Sequence, residues 1–210
     1  MLSKMYEQLN QYLLQTSPKI KKSDISNKEK QLGVTMPKSM SCFYEIYGND
    51  SDVMNSYYIF EKLENICIED NALVFGYTHQ KAEKIGIELE DLNSEFQSVN
   101  YYSDGIWYAG EALYPESFFF NVAGWQILNT LDDIVVIDCS EKEFLRLMNA
   151  GFKYFSEDEI YATAFPISTI YFESVIGCYL RKSEEMFLAS KDFEILKQLE
   201  KNLDLDMDWL

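Results

Sequence analysis

The stretch Val99-Asn100-Tyr101-Tyr102-Ser103-Asp104-Gly105-Ile106-Trp107-Tyr108-Ala109 decides the fold class, because it reads as two short strands, Val99 to Tyr102 and Ile106 to Ala109, closed on each other by a turn through Ser103-Asp104-Gly105. Asp104-Gly105 tolerates the positive φ that such a turn needs, and aromatic and branched residues flank it on both sides. A hairpin pairs antiparallel with its neighbour in sequence, so its sheet needs no crossover helix. Upstream, Tyr57 to Phe60, Asn65 to Ile68 and Ala72 to Phe75 are further runs of strand-forming residues between polar turns. A short helical turn is expected around Gln80 to Ile85.

Beyond the hairpin, Pro115 opens a helix through about Leu128, with Phe118, Phe119, Val122, Trp125 and Gln126 at helical intervals, and a second helix follows from Glu141 to Asn149. Strands are then expected at Gly151 to Phe155, Ile160 to Ala164, Ile167 to Glu173, Val175 to Leu180 and Met186 to Ala189. A last helix from about Lys191 to Leu203 sets Phe193, Leu196, Leu199 and Leu203 on one side. At the other end of the chain, Leu2, Met5, Tyr6, Leu9, Tyr12 and Leu13 follow spacings of three and four, ending at Ser17-Pro18. Two more short helices run from Ser23 or Ser26 to Gly33 and from Pro37 to Gly48. Helices that bracket strand-rich blocks without regular alternation predict an α+β fold: one domain over residues 1–210, with a central, mostly antiparallel or mixed sheet and flanking helices.

Charge and composition narrow the function. The 210 residues carry 18 Lys+Arg against 35 Asp+Glu, a formal charge of −17. That argues against direct nucleic-acid binding, which rests on cations neutralising phosphates, and against docking on anionic lipid. Disorder is excluded by 14 Phe, 15 Tyr and 3 Trp, more aromatic surface than a solvated tail carries. No stretch approaches the roughly 18 apolar residues of a membrane helix, and the first residues lack the apolar run of a signal peptide, so a cytoplasmic protein is expected. Cys42, Cys67, Cys139 and Cys178 form no CxxC pair and read as free thiols of a reducing compartment.

Motifs for catalysis are missing. His79 is the only histidine, there is no GxSxG elbow, and neither GxxxxGK[ST] nor GxGxxG is present to cradle a phosphate. His79 reads as a surface or cap residue. Acidic runs such as Asp132-Asp133, Glu157 to Glu159 and Glu184-Glu185 have no specific spacing and read as solvated turns. Asp204, Asp206 and Asp208 lack the glycine and distal glutamate of an EF-hand loop and read as a helix end or tail. No enzyme activity, cofactor or metal is implied. Tyr57, Tyr58, Tyr101, Tyr102, Trp107, Tyr108 and Trp125 are candidate recognition residues only where they are left exposed, since most aromatics at such spacings pack the core.

Ile25-Ser26-Asn27-Lys28-Glu29-Lys30-Gln31-Leu32-Gly33-Val34-Thr35-Met36-Pro37, followed by Phe43-Tyr44 and Tyr47-Gly48, resembles the opening pattern of the SUKH superfamily: Glu-x-x-Leu-Gly, an apolar-Pro pair, and a helix closed by glycine. Met36 stands where leucine is usual, and Gly48 precedes Asn49 instead of following it. Leu73-Val74-Phe75, Gln80, Gly86-Ile87 to Asp91-Leu92, Val99-Asn100-Tyr101, Trp107 and Pro115-Glu116-Ser117-Phe118-Phe119 leading to Trp125-Gln126 look like the later part of bacterial members. The resemblance implies a non-enzymatic domain that, in bacteria, serves as an immunity protein binding and neutralising a cognate toxin, often a nuclease. Fungal relatives act in cell-wall regulation, so a non-enzymatic cytosolic scaffold or regulatory interaction module is the alternative. An acidic inhibitor can imitate the phosphates that a nuclease grips and can speed association by steering. Glu61, Glu64, Asp70, Asp104 and Glu111 lie at the ends of expected strands and are the candidate partner-binding residues; Trp107 and Gly48 read as fold-defining.

Overall fold

A computed structural model describes residues 2–94, 97–112, 114–156, 162–163 and 165–210. Among them the helices are α1 (Leu2–Leu9), α2 (Lys22–Leu32), α3 (Lys38–Tyr47), α4 (Ser51–Asn55), α5 (Pro115–Leu128), α6 (Glu141–Asn149) and α7 (Phe193–Leu203). The strands are β1 (Ile59–Phe60), β2 (Cys67–Glu69), β3 (Ala72–Tyr77), β4 (Lys84–Glu88), β5 (Val99–Ser103), β6 (Ile106–Ala112), β7 (Ile134–Asp138), β8 (Lys153–Tyr154), β9 (Ile167–Phe172), β10 (Val175–Leu180), β11 (Glu185–Ser190) and β12 (Asp208–Trp209). The fold is α+β, and all strand pairings are antiparallel.

The strands divide between two sheets, where the sequence reading expected a single central one. One has the order β1-β3-β4-β5-β6, with β2 also on β3; the other has the order β12-β7-β11-β10-β9-β8. What separates them is α5. Its residues from Ser117 to Leu128 are buried on every side, so it has no polar face to turn to solvent. A helix apolar all round belongs inside the protein, where it needs a cover on each side. Thr169 and Ile176 of the second sheet meet one side of α5, and Phe43, Phe60 and Phe75 meet the other through Phe118 and Phe119.

Tyrosine hydroxyls pin the N-terminal helices inside this core. Tyr47 donates to the Tyr6 carbonyl at 2.8 Å, joining α3 to α1. The Tyr44 hydroxyl lies 2.9 Å from the Glu61 carbonyl and 3.1 Å from that of Phe75, joining α3 to the first sheet. Each bond lets a large ring be buried without an orphaned polar group.

The second sheet is covered on both faces. Opposite α5, the residues Val135, Ile137, Tyr179, Met186 and Leu188 pack under Phe144 and Leu147 of α6 and Leu196 and Leu199 of α7. Side-chain caps fix the starts of those two helices: Ser140 accepts from the Glu143 N–H, and Asp192 accepts from that of Glu194. The first sheet differs. Leu73, Phe75, Ile85, Ile87 and Val99 face the core, while Tyr77, Lys84, Tyr102 and Trp107 share the opposite face and are only half-buried. Among the described residues this is the broad sheet face that no helix covers.

Several elements depart from the sequence reading. Gln80 to Ile85 is not one helical turn; a 3-10 turn occupies His79–Lys81, and β4 begins at Lys84. β7 is an additional strand, held by β11 and β12 on either side. Asp204 is the C-cap of α7, a helix end as expected, but the segment after it is no free tail, because Asp208 and Trp209 pair with Val136 and Val135. The strand expected over 160–164 falls on residues 160, 161 and 164, which lie outside the described residues, while Ala162 and Thr163 are helical.

Candidate protein-binding face

Two tight turns build the uncovered face. Asp70 and Asn71, joining β2 to β3, both have positive φ (49° and 61°), and Asp104 and Gly105, joining β5 to β6, do the same (52° and 84°). Such turns match the twist of a hairpin. Between them, Ile59, Tyr77, Lys84, Tyr102 and Trp107 stand in one cross-strand row on the solvent face.

Trp107 closes this face over a glycine. A Cβ at Gly86 would stand 2.7 Å from Trp107 Cη2 and 2.9 Å from the Leu73 carbonyl, so only glycine lets the indole lie flat across β4. From there the Trp107 Nε1–H donates to the Asp70 carbonyl at 2.8 Å, tying the two hairpins together.

Lys84 is the electrostatic centre. Its ammonium lies 2.7 Å from Glu69 and 2.8 Å from Asp70, and 4.8 Å from the centre of the Tyr102 ring. The hydrogen bond from Lys84 holds the Asp70 carboxyl below its ordinary value, and the two carboxylates together raise that of Lys84. Desolvation, and then the charges of Glu61 and Glu69, push the Tyr77 hydroxyl up. Lys81 sits 5.4 Å from the Tyr77 ring. Glu61, Glu69 and Asp70 therefore surround a row of aromatics in which one lysine is already paired twice.

The five candidate acids do not converge on one point. Glu61 and Asp70 belong to the face just described. Glu64 is exposed on the 3-10 turn Leu63–Asn65, around the corner, where its carbonyl accepts from Lys28 Nζ at 2.7 Å. Asp104 projects from the β5–β6 turn at the end of the sheet. Glu111 lies on β6, and its side chain lies outside the described residues. The sequence reading missed Glu69 and Lys84; the alternation Lys84-Ile85-Gly86-Ile87-Glu88 is the signal that would have placed Lys84 on a strand, weakened by the glycine at its centre.

Among the aromatic candidates, Trp125 is buried, Tyr58 and Tyr101 are mostly so, and Tyr57 and Tyr108 are exposed. His79 is exposed and stacks on Tyr57 with ring centres 5.5 Å apart, a surface position. Among the described residues no group of three or more His, Cys, Asp or Glu is placed to hold a metal ion, and no helix is long and apolar enough to cross a membrane. No family model, curated protein or solved structure matches the chain.

Proposed function

We propose that the protein is a cytoplasmic immunity protein of the SUKH type, which binds a basic toxin, a nuclease, and blocks it by an acidic surface without catalysing a reaction. The observation that carries this reading is the uncovered face of the first sheet, where Glu61, Glu69 and Asp70 surround Tyr77, Tyr102 and Trp107 in a chain of net charge −17. Both parts of a protein-binding site are available there: aromatic surface for a desolvated anchor, and carboxylates to steer and orient a cationic cleft. Lys84 holds Glu69 and Asp70 in place, so less side-chain freedom is lost on binding. The family assignment rests on the quoted sequence patterns alone.

The test is a tagged pull-down from the native cells at low and high salt, with mass spectrometry of what stays bound. A stoichiometric basic toxin domain that is lost as salt rises supports the reading. Reversing Glu61, Glu64, Asp70 and Asp104 together is expected to weaken that complex and flatten its salt dependence while leaving the circular dichroism spectrum unchanged. Unchanged affinity in the fourfold variant sinks the electrostatic mechanism, and recovery of a cell-wall or signalling enzyme in place of a toxin sinks the immunity role.

A further inference from the structure

The first sheet ends at β6, and over Ile106 to Ala109, before its bulge and Glu111, this edge carries no charged residue and no proline. Exposed edges are ordinarily kept very short, charged, proline-bearing or covered, because their free N–H and C=O groups recruit other strands. The other edge strands follow that rule: β1, β8 and β12 have two residues each and β2 has three. β6 has seven, Ile106-Trp107-Tyr108-Ala109-Gly110-Glu111-Ala112, with neither Lys nor Pro. Among the described residues no strand pairs with it on the side away from β5.

The register shows which groups are free. Ser103 pairs with Ile106 across a two-residue turn, so these two exchange hydrogen bonds, and by alternation so do Tyr101 and Tyr108. The N–H and C=O of Trp107 and Ala109 therefore point outward. Consistently, the Gly110 N–H turns inward to Asn100 Oδ1 at 3.4 Å. Beyond Ala109 the register shifts, since Asn100 pairs with Ala109 but Val99 with Ala112, and this bulge ends the regular edge. The pairing-competent stretch is Ile106 to Ala109.

Its side chains point to a partner. Ile106 and Tyr108 lie on the core-side face of the sheet yet are 67% and 42% exposed, so the apolar layer stops one strand short. The surrounding charge is negative: Glu83 accepts a hydrogen bond from the Tyr108 hydroxyl, and Asp104 sits at the tip of the hairpin. Lys84, the nearby cation of the sheet, is engaged by Glu69 and Asp70.

We infer that the β6 edge over Ile106 to Ala109 receives an extended segment of a basic protein partner as an added strand, with apolar residues on Ile106 and Tyr108 and the alternate Lys or Arg residues on the opposite face, where Trp107 reaches Asp70. Backbone pairing supplies affinity in such strand addition, and alternate side chains supply specificity. This deepens the proposed function and rests on its reading of the partner as basic.

The test uses the full chain and a synthetic peptide of about eight residues alternating Lys and Val, with a Glu-Val peptide as control. Binding of the Lys-Val peptide is expected to shift the amide resonances of Trp107 and Ala109 and to slow their hydrogen exchange. Ala109→Pro removes an outward N–H and leaves the inward ladder intact, so it is expected to keep the melting temperature and weaken the peptide by about tenfold. Equal binding of the Glu-Val peptide, shifts confined to other strands, or undiminished binding by Ala109→Pro overturns the inference. A basic toxin that binds Ala109→Pro as tightly as the wild type also overturns it while leaving the proposed function standing. Conversely, peptide addition at β6 in a protein whose cellular partner is no toxin upholds the edge and overturns the immunity role.

Discussion

Gln126 and Tyr58 exchange two hydrogen bonds, as paired strand residues do: the Tyr58 N–H donates to Gln126 Oε1 at 2.8 Å, and Gln126 Nε2 donates to the Tyr58 carbonyl at 2.8 Å. The same side-chain amide also accepts from the Tyr57 N–H at 2.9 Å and donates to the Val53 carbonyl at 2.7 Å. A fully buried glutamine thus ties the central helix to the chain that enters the first sheet. Gln126→Leu keeps the volume but orphans two N–H and two C=O groups, and each buried orphan costs about 1 to 3 kcal/mol. A loss of about 3 to 5 kcal/mol is expected in urea denaturation, given that such terms do not add fully. A loss below about 1 kcal/mol would show that water replaces the amide.

Gly124 places the same helix against the second sheet. A Cβ there would stand 2.3 Å from Thr169 Cγ2 and 2.4 Å from its Oγ1. Thr169 has no room to yield, because its N–H donates to Asn121 Oδ1 at 2.9 Å and its hydroxyl to the Asn121 carbonyl at 3.1 Å. Alanine is favoured over glycine by about 1 kcal/mol in a helix, but overpacking costs about 1 to 3 kcal/mol and more where backbone must move. Gly124→Ala is expected to lower the thermal midpoint, and a raised midpoint would mean that the helix and sheet are not in this close contact.

How much of this was legible follows from where each determinant sits. Pro115 and the apolar residues after it announce α5, and Asp104-Gly105 announces the β5–β6 hairpin, since both signals are local. β4 escaped because Gly86 interrupts its strand pattern, and that glycine is explained only by Trp107, a residue on another hairpin. The division into two sheets follows from α5 being buried all round, a property of its surroundings that an apolar helix pattern signals only weakly. At the candidate face, Glu61 and Asp70 were recognisable as acids at strand ends. Their meeting around Tyr77 and Lys84 depends on cross-strand register, which no short window of sequence contains.

The four cysteines are free, and burial separates them into two classes. Burial pushes the thiols of Cys139 and Cys178 up to about 12, so almost none is thiolate at pH 8. Cys42 and Cys67 are half-exposed, with smaller upward shifts whose first cause is also desolvation. A disulfide-exchange reagent at pH 8 is expected to label Cys42 and Cys67 in the native protein, and Cys139 and Cys178 only after unfolding in urea. Rapid native labelling of Cys178 would contradict its place between α5 and the second sheet.

Asp70 and Lys84 give the candidate face its pH behaviour. Hydrogen bonding from Lys84 lowers the Asp70 carboxyl, so its contribution to stability is present above the ordinary aspartate value of about 3.9 and is lost as pH falls through the lowered one. The Lys84 ammonium is raised, so its contribution is present below about 10.4 and disappears as pH rises through the raised value. The pair is consequently intact across the neutral range. Lys84→Met removes the donor and keeps most of the aliphatic stem over Tyr102, so the Asp70 carboxyl is expected to titrate closer to about 3.9 in carbon-detected NMR. An Asp70 titration that does not move in this variant would show that Lys84 does not set the charge of the face, and the steering proposed for the partner would then have to come from acids elsewhere on the surface.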